Sequence, residues 1–143
     1  MSPLDRAVLA ERTAAVHRHL ERVAARLPPR AEDFAAATDA SDAVVLHLWQ
    51  ATQIVIDVAV SACVRFDLGS PQTYAGAFRL MQAKGMIDEP LADRLVRAAG
   101  FRNVVAHAYD TLDMVRVHRA ATEGPADLKA FLAAIAGRLT ANP

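Results

Sequence analysis

Cysteine is nearly missing from this sequence. Cys63 stands alone in 143 residues, which excludes a disulfide framework or a cysteine-built zinc site and makes a reducing compartment the simple reading. Glycine is scarce, with 6 residues set against long runs rich in alanine and leucine, a balance that favours helices over sheet. Net charge is absent: 16 basic and 16 acidic residues cancel, so no global field draws a nucleic acid or a membrane, and any such contact must be local. No uncharged run reaches membrane-spanning length, and Asp5, Arg6, Glu11 and Arg12 interrupt the place where a signal peptide needs an apolar core. A soluble, cytoplasmic protein is expected. Metal-ligand spacing is lacking too: His17, His19, His47 and His118 are scattered, which sets aside a metalloprotein or haem bundle and leaves no cofactor to expect.

What is present is apolar material, 53% of the chain, enough for one domain over residues 1–143 with a proper core. Leu4, Val8, Val16, Leu20, Val23 and Leu27 recur at three- and four-residue steps and predict a first helix over 4–27, stopped by Pro28-Pro29. A helical turn around Phe34 and a cap at Asp39, Ser41 or Asp42 lead into a central helix over 42–66, whose stripe from Val44 to Ala62 is so broad that several neighbours must cover it. Gln53 and Asp57 lie one turn apart within it. A carboxylate there is costly without a donor, so Asp57 marks either an exposed edge with a structural hydrogen bond or support for a cation of a site. Ser70 and Pro71 read as cap and first residue of a short helix over 72–83 with Tyr74, Phe78 and Met81 on its apolar side, and Lys84-Gly85 closes it. Asp88-Glu89-Pro90 starts a helix over 88–107. Beyond it one helix is expected to about Ala121, a break at Gly124-Pro125, and a last helix over 126–139. The fold class is all-α, an antiparallel bundle of four to five helices.

The stretch from Gly100 to Asp110 gathers the chemistry, with Arg102, Asn103, His107 and Tyr109 separated by small apolar residues. A lone histidine on an apolar helix is ordinarily a satisfied core residue, and His107 differs by its company. A guanidinium grips phosphate through parallel hydrogen bonds as no lysine can, and an imidazole takes or gives a proton near neutrality. On a helix of about 100° per residue, Arg102 and Tyr109 share an azimuth, Asn103 and His107 pair at i,i+4, and Arg102 and His107 stand about 140° apart. Either a break near Ala108-Tyr109 or a second copy across a two-fold axis must close the site. Arg94, Arg97, Arg102 and Arg116 can form a local basic rim.

The string Gly-Phe-Arg-Asn-Val-Val-Ala-His-Ala-Tyr, with the helix order around it and Gln53-x-x-x-Asp57 on the second helix, resembles the HEPN superfamily and within it the HepT-like toxins, whose signature is R-x-x-x-x-H-x-Y with a polar residue after the arginine. Arg102, Asn103, His107 and Tyr109 occupy those positions, while Ala108 stands where relatives often carry an acid. The resemblance implies a homodimeric, metal-independent endoribonuclease, the toxin of a toxin–antitoxin pair. It implies RNA as substrate, Arg102 and His107 as catalytic residues, Asn103 in support, and Gln53 and Asp57 behind them. It also implies silencing by AMP transfer onto Tyr109 from a small nucleotidyltransferase antitoxin of the MntA type. The competing expectation is a non-catalytic HEPN-type module that binds a nucleotide or a partner protein.

Overall fold

Helix α1 (Arg6–Arg26) begins where the carboxylate of Asp5 accepts a hydrogen bond from the Val8 N–H, and it ends where Leu27 turns extended ahead of Pro28-Pro29. This computed structural model describes residues 3–141. A 3₁₀ turn over Ala31–Asp33 precedes buried Phe34. Helix α2 (Asp39–Arg65) starts a turn earlier than expected, because Thr38, rather than Asp39, Ser41 or Asp42, is its cap. The Thr38 hydroxyl accepts from the Ser41 N–H while the Ser41 hydroxyl accepts from the Thr38 N–H, a reciprocal capping box.

Helix α3 (Tyr74–Ala83) instead starts later than its sequence signals suggested. Thr73 caps it through the Gly76 N–H, and Ser70-Pro71 falls in the preceding loop, where Gly69 holds a φ of 121° that an L-residue rarely adopts. Its end is as expected: Gly85, at φ 73°, lets the Met86 N–H reach the Met81 carbonyl at 3.0 Å and its own N–H reach Gln82 at 3.0 Å, with both methionines buried. Helix α4 (Glu89–Ala108) is capped by Asp88 on the Leu91 N–H.

Helix α5 (Met114–Ala141) corrects an expectation, since Gly124-Pro125 does not divide it. Pro125 removes one ladder bond, but Gly124 has no Cβ to clash with the proline ring. The buried stripe of Val117, Ala121, Leu128, Leu132, Ile135 and Leu139 keeps its phase across the site, so tertiary burial outweighs the local cost.

The result is a bundle of five α-helices with no strand among the described residues. Helix α2 is its centre and meets α1, α3, α4 and α5. By length and composition alone, with a mean hydropathy of 1.5, it could cross a membrane, but half of that apolar window is buried inside the domain. Phe78 of α3 and Phe131 of α5 meet edge to face with centroids 5.5 Å apart. Truncating either to Ala would cost about 3–5 kcal/mol. The buried Cys63 thiol points at the Ala77 carbonyl, 3.8 Å away, and burial pushes its pKa up, so it behaves as packing rather than as a reagent. His19 and His47, far apart in sequence, come together between α1 and α2 with their Nδ1 atoms 3.0 Å apart.

Candidate functional site

Helix α4 carries the motif to its own C-terminus, where Ala108 leaves helical geometry at φ −142°, ψ 39° and a 3₁₀ turn takes over at Tyr109–Thr111. That break re-aims the phenol. Tyr109 is 46% exposed, and its hydroxyl donates to Oδ1 of Asp42, at the start of α2, over 2.6 Å. Asp42 is therefore not a cap but the carboxylate that holds this tyrosine. The hydrogen bond to Asp42, then burial, then the negative charges of Asp42 and Asp110 push the Tyr109 pKa up to about 12. The side chain stays a neutral phenol with a base already in contact.

Arg102 is part-buried on the flank of α4 that faces α2 and α3. Its Nε donates to Oε1 of Gln53 at 2.7 Å, and the Gln53 amide in turn donates from Nε2 to Oδ1 of Asp57 at 2.9 Å. Asp57 thus meets the donor that its position on α2 demands, and it acts on the arginine only through Gln53. Nη1 of Arg102 donates to Oδ1 of Asn103 at 3.1 Å, so Asn103 braces the arginine and not the imidazole. The guanidinium carbon lies 5.3 Å from the Trp49 ring centre and 5.7 Å from that of Tyr74. With Nε and one Nη1 hydrogen engaged, both hydrogens of Nη2 and the second of Nη1 remain for an anion.

Trp49 and Tyr74 join the site without having been singled out in the sequence. Trp49 looked like core in a broad apolar stripe, although it stands one turn before Gln53, and that spacing was the available signal. Tyr74 was expected on the apolar side of its helix and is instead 38% exposed.

His107 does not join this cluster. It is exposed, on the side of α4 away from Arg102, and has no hydrogen bond or ion pair among the described residues. Gly100, Asn103, Val104 and His107 make an outward row at i, i+3, i+4 and i+7, and no neighbour lies within 4 Å of where a Gly100 Cβ would sit. The expected basic rim also divides: Arg94, Arg97 and Arg116 line a different cleft, between α4 and α5, together with Arg119.

A family model described as ribonuclease HepT-like matches residues 16–135. The chain is 33% identical over 73 residues to the mRNA nuclease HepT of Shewanella oneidensis, a stretch covering 51% of this chain and 55% of that protein. It is 35% identical over 83 residues to a protein of Archaeoglobus fulgidus, covering 57% and 61%, so the matches span little more than half the length of these curated relatives. Among solved structures, a tri-AMPylated Shewanella oneidensis HEPN toxin in complex with an MNT antitoxin is similar at TM-score 0.82 and 25% identity, covering 91% of this chain and 97% of that one. YutE of Bacillus subtilis, a cytosolic protein of unknown function, shares the fold at TM-score 0.81 and 16% identity, with 99% and 94% covered.

Proposed function

The chain belongs to the ribonuclease HepT-like family, and on that premise we propose that it is a cytoplasmic endoribonuclease toxin that cuts RNA without a metal ion, works as a homodimer, and is silenced by a nucleotidyltransferase antitoxin. The observation that carries the reading is the Asp57–Gln53–Arg102 relay, which holds a part-buried guanidinium in place with its Nη2 edge unspent. Such a fixed cation suits a phosphodiester whose charge grows during reaction.

RNA supplies its own nucleophile, so the protein has protons to move and charge to stabilise. His107 takes the proton of a 2′-hydroxyl, whose oxygen attacks the adjacent phosphorus. The bond from phosphorus to the 5′ oxygen breaks, water gives that oxygen a proton, and a 2′,3′-cyclic phosphate is left. A second copy of the chain sets its His107 against the Arg102 of the first, which accounts for Arg102 and His107 occupying different sides of one α4. The exposed apolar side chains Leu46, Val64 and Val104 of α2 and α4 give that second copy surface to bury.

Tyr109 is the proposed acceptor of AMP. Its phenolic oxygen attacks the α-phosphorus of ATP held by the antitoxin, Asp42 accepts the proton, and pyrophosphate leaves. The bulk and negative charge of the new nucleotide, at the end of the same motif, keep RNA out.

The test is cleavage of RNA by the purified protein in EDTA beside His107→Ala. The variant should keep its helical circular dichroism and lose about 10²–10⁴-fold in rate. A wild-type protein that binds RNA but never cuts it, or a variant that cuts equally well, sinks the assignment.

A further inference from the structure

Phe101 and Arg102 are neighbours in sequence but serve opposite flanks of α4. Arg102 meets Gln53, while Phe101 lines a separate cleft of about 370 Å³ between α4 and α5, with Leu48 and Thr52 of α2 at its floor. Nothing in the nuclease reading uses this cleft. Four arginines surround it, Arg94 and Arg97 from α4 and Arg116 and Arg119 from α5, and Asp127 pairs with Arg94 at 2.8 Å. Arg97, Arg116 and Arg119 are exposed and have no ion-pair partner among the described residues. Against the carboxylates of Glu123 and Asp127, four guanidiniums leave a surplus of two positive charges, in a chain whose formal charge is zero. Like charges drawn around one concavity repel unless an anion sits between them.

We propose that the α4/α5 cleft is a nucleoside-phosphate site, distinct from the Arg102 cluster. The cations argue for phosphate, and all of them are arginine, whose planar fork matches phosphate oxygens. The floor argues for more than phosphate. Leu48, Phe101 and Leu128 form an apolar bed with a part-exposed ring, which suits the face of a base and has no use for an inorganic ion. The Thr52 hydroxyl donates to the Leu48 carbonyl at 2.8 Å, so towards a ligand it offers a lone pair, and exposed Glu123 can accept from ribose hydroxyls. The volume is near the small end of the usual range for small-molecule sites and fits one nucleotide rather than a dinucleotide. The nucleotide is either free or one residue of an RNA strand, and both present the same chemistry.

Calorimetric titration of the full chain with 5′-AMP, with inorganic phosphate, and with a short RNA decides it, the RNA being offered to His107→Ala so that it stays whole. The comparison is Arg116→Gln/Arg119→Gln, with Arg30→Gln, which does not line the cleft, as control. The double variant should keep its circular dichroism and lose about tenfold or more in affinity, phosphate should bind more weakly than AMP, and Arg30→Gln should bind as the parent does. Loss for AMP with RNA binding unchanged marks a free-nucleotide site, and loss for both marks a subsite that an RNA strand also fills. No AMP binding, AMP binding unchanged in the double variant, or phosphate binding as tightly as AMP overturns the proposal. The AMP titration contains no cleavable RNA, so its outcome is independent of whether the protein is a nuclease.

Discussion

At the residue scale, the contact between Tyr109 and Asp42 makes a sharp claim, because one carboxylate is the largest cause of a phenol pKa pushed up to about 12 and is also placed to take its proton. Asp42→Asn should therefore bring the Tyr109 titration back towards the ordinary value near 10. Near-ultraviolet titration in a Tyr74→Phe background, which leaves Tyr109 as the sole tyrosine of the two, reads that directly. The same substitution should slow AMP transfer from a co-purified antitoxin by about a hundredfold, in the range of a lost general base, as followed by intact mass. An unchanged rate would remove Asp42 from the transfer step, and AMP found on a Tyr109→Phe protein would move the modification elsewhere. Arg102, His107 and Tyr109 were visible in the sequence because their residue types announce phosphate chemistry at fixed spacing. Trp49, Tyr74 and Asp42 were not. An indole in an apolar stripe, a tyrosine on a short helix and an aspartate near a helix start each satisfy a commoner reading, and only the packing of α2, α3 and α4 joins them to the motif.

Helix pairing brings a pH dependence that no single element contains. His19 of α1 and His47 of α2 share an Nδ1···Nδ1 contact of 3.0 Å, which requires at least one neutral ring as acceptor. Burial first, then the charge of His47 together with Arg22 and Arg18, lowers the pKa of His19; burial first, then Arg22 and Arg26, lowers that of His47. Both folded values lie below the ordinary 6.5. The unfolded chain then binds more protons than the folded one, and the stabilisation is complete above about pH 6.5 and is lost as pH falls through the folded values. Thermal melts should show His47→Gln losing less stability than the parent between neutral pH and about pH 5; parallel curves would mean the pair carries no linkage. Helix α5 offers a second check at this scale. Gly124-Pro125 reads locally as a break, yet the apolar positions on either side are in phase, and burial of that stripe decides the matter. Pro125→Ala restores a ladder bond and should raise stability, by at most about 3 kcal/mol. A lower melting temperature would mean that the proline shapes the packing of α5. Helices α1 to α4 were legible because periodicity over long segments is a strong signal, whereas α5 was read as two pieces on the local evidence of Gly124-Pro125, and the starts of α2 and α3 were misplaced because several cap-forming residues compete within a few positions.

For the whole molecule, the decisive question is whether one chain can hold a complete catalytic centre. The reach of the sequence stopped here, since an azimuth of about 140° between Arg102 and His107 says that something must close the site without saying what. In the fold, Arg102 faces inward against Gln53 while His107 stands on an exposed row with Gly100, Asn103 and Val104, a seam where Gly100, lacking a side chain, lets a second helix come close. Self-association along that seam predicts complementation. Arg102→Ala and His107→Ala proteins, each inactive as a homodimer, should regain RNA cleavage when unfolded, mixed and refolded together, because a mixed dimer retains an intact arginine from one copy and an intact histidine from the other. Size-exclusion chromatography with light scattering must show dimers of both variants for the experiment to speak. Revived cutting places the reaction between two chains. Continued silence from well-formed mixed dimers would confine it to one, and the exposed His107 would then have to swing around its own helix to reach the phosphate that Arg102 holds.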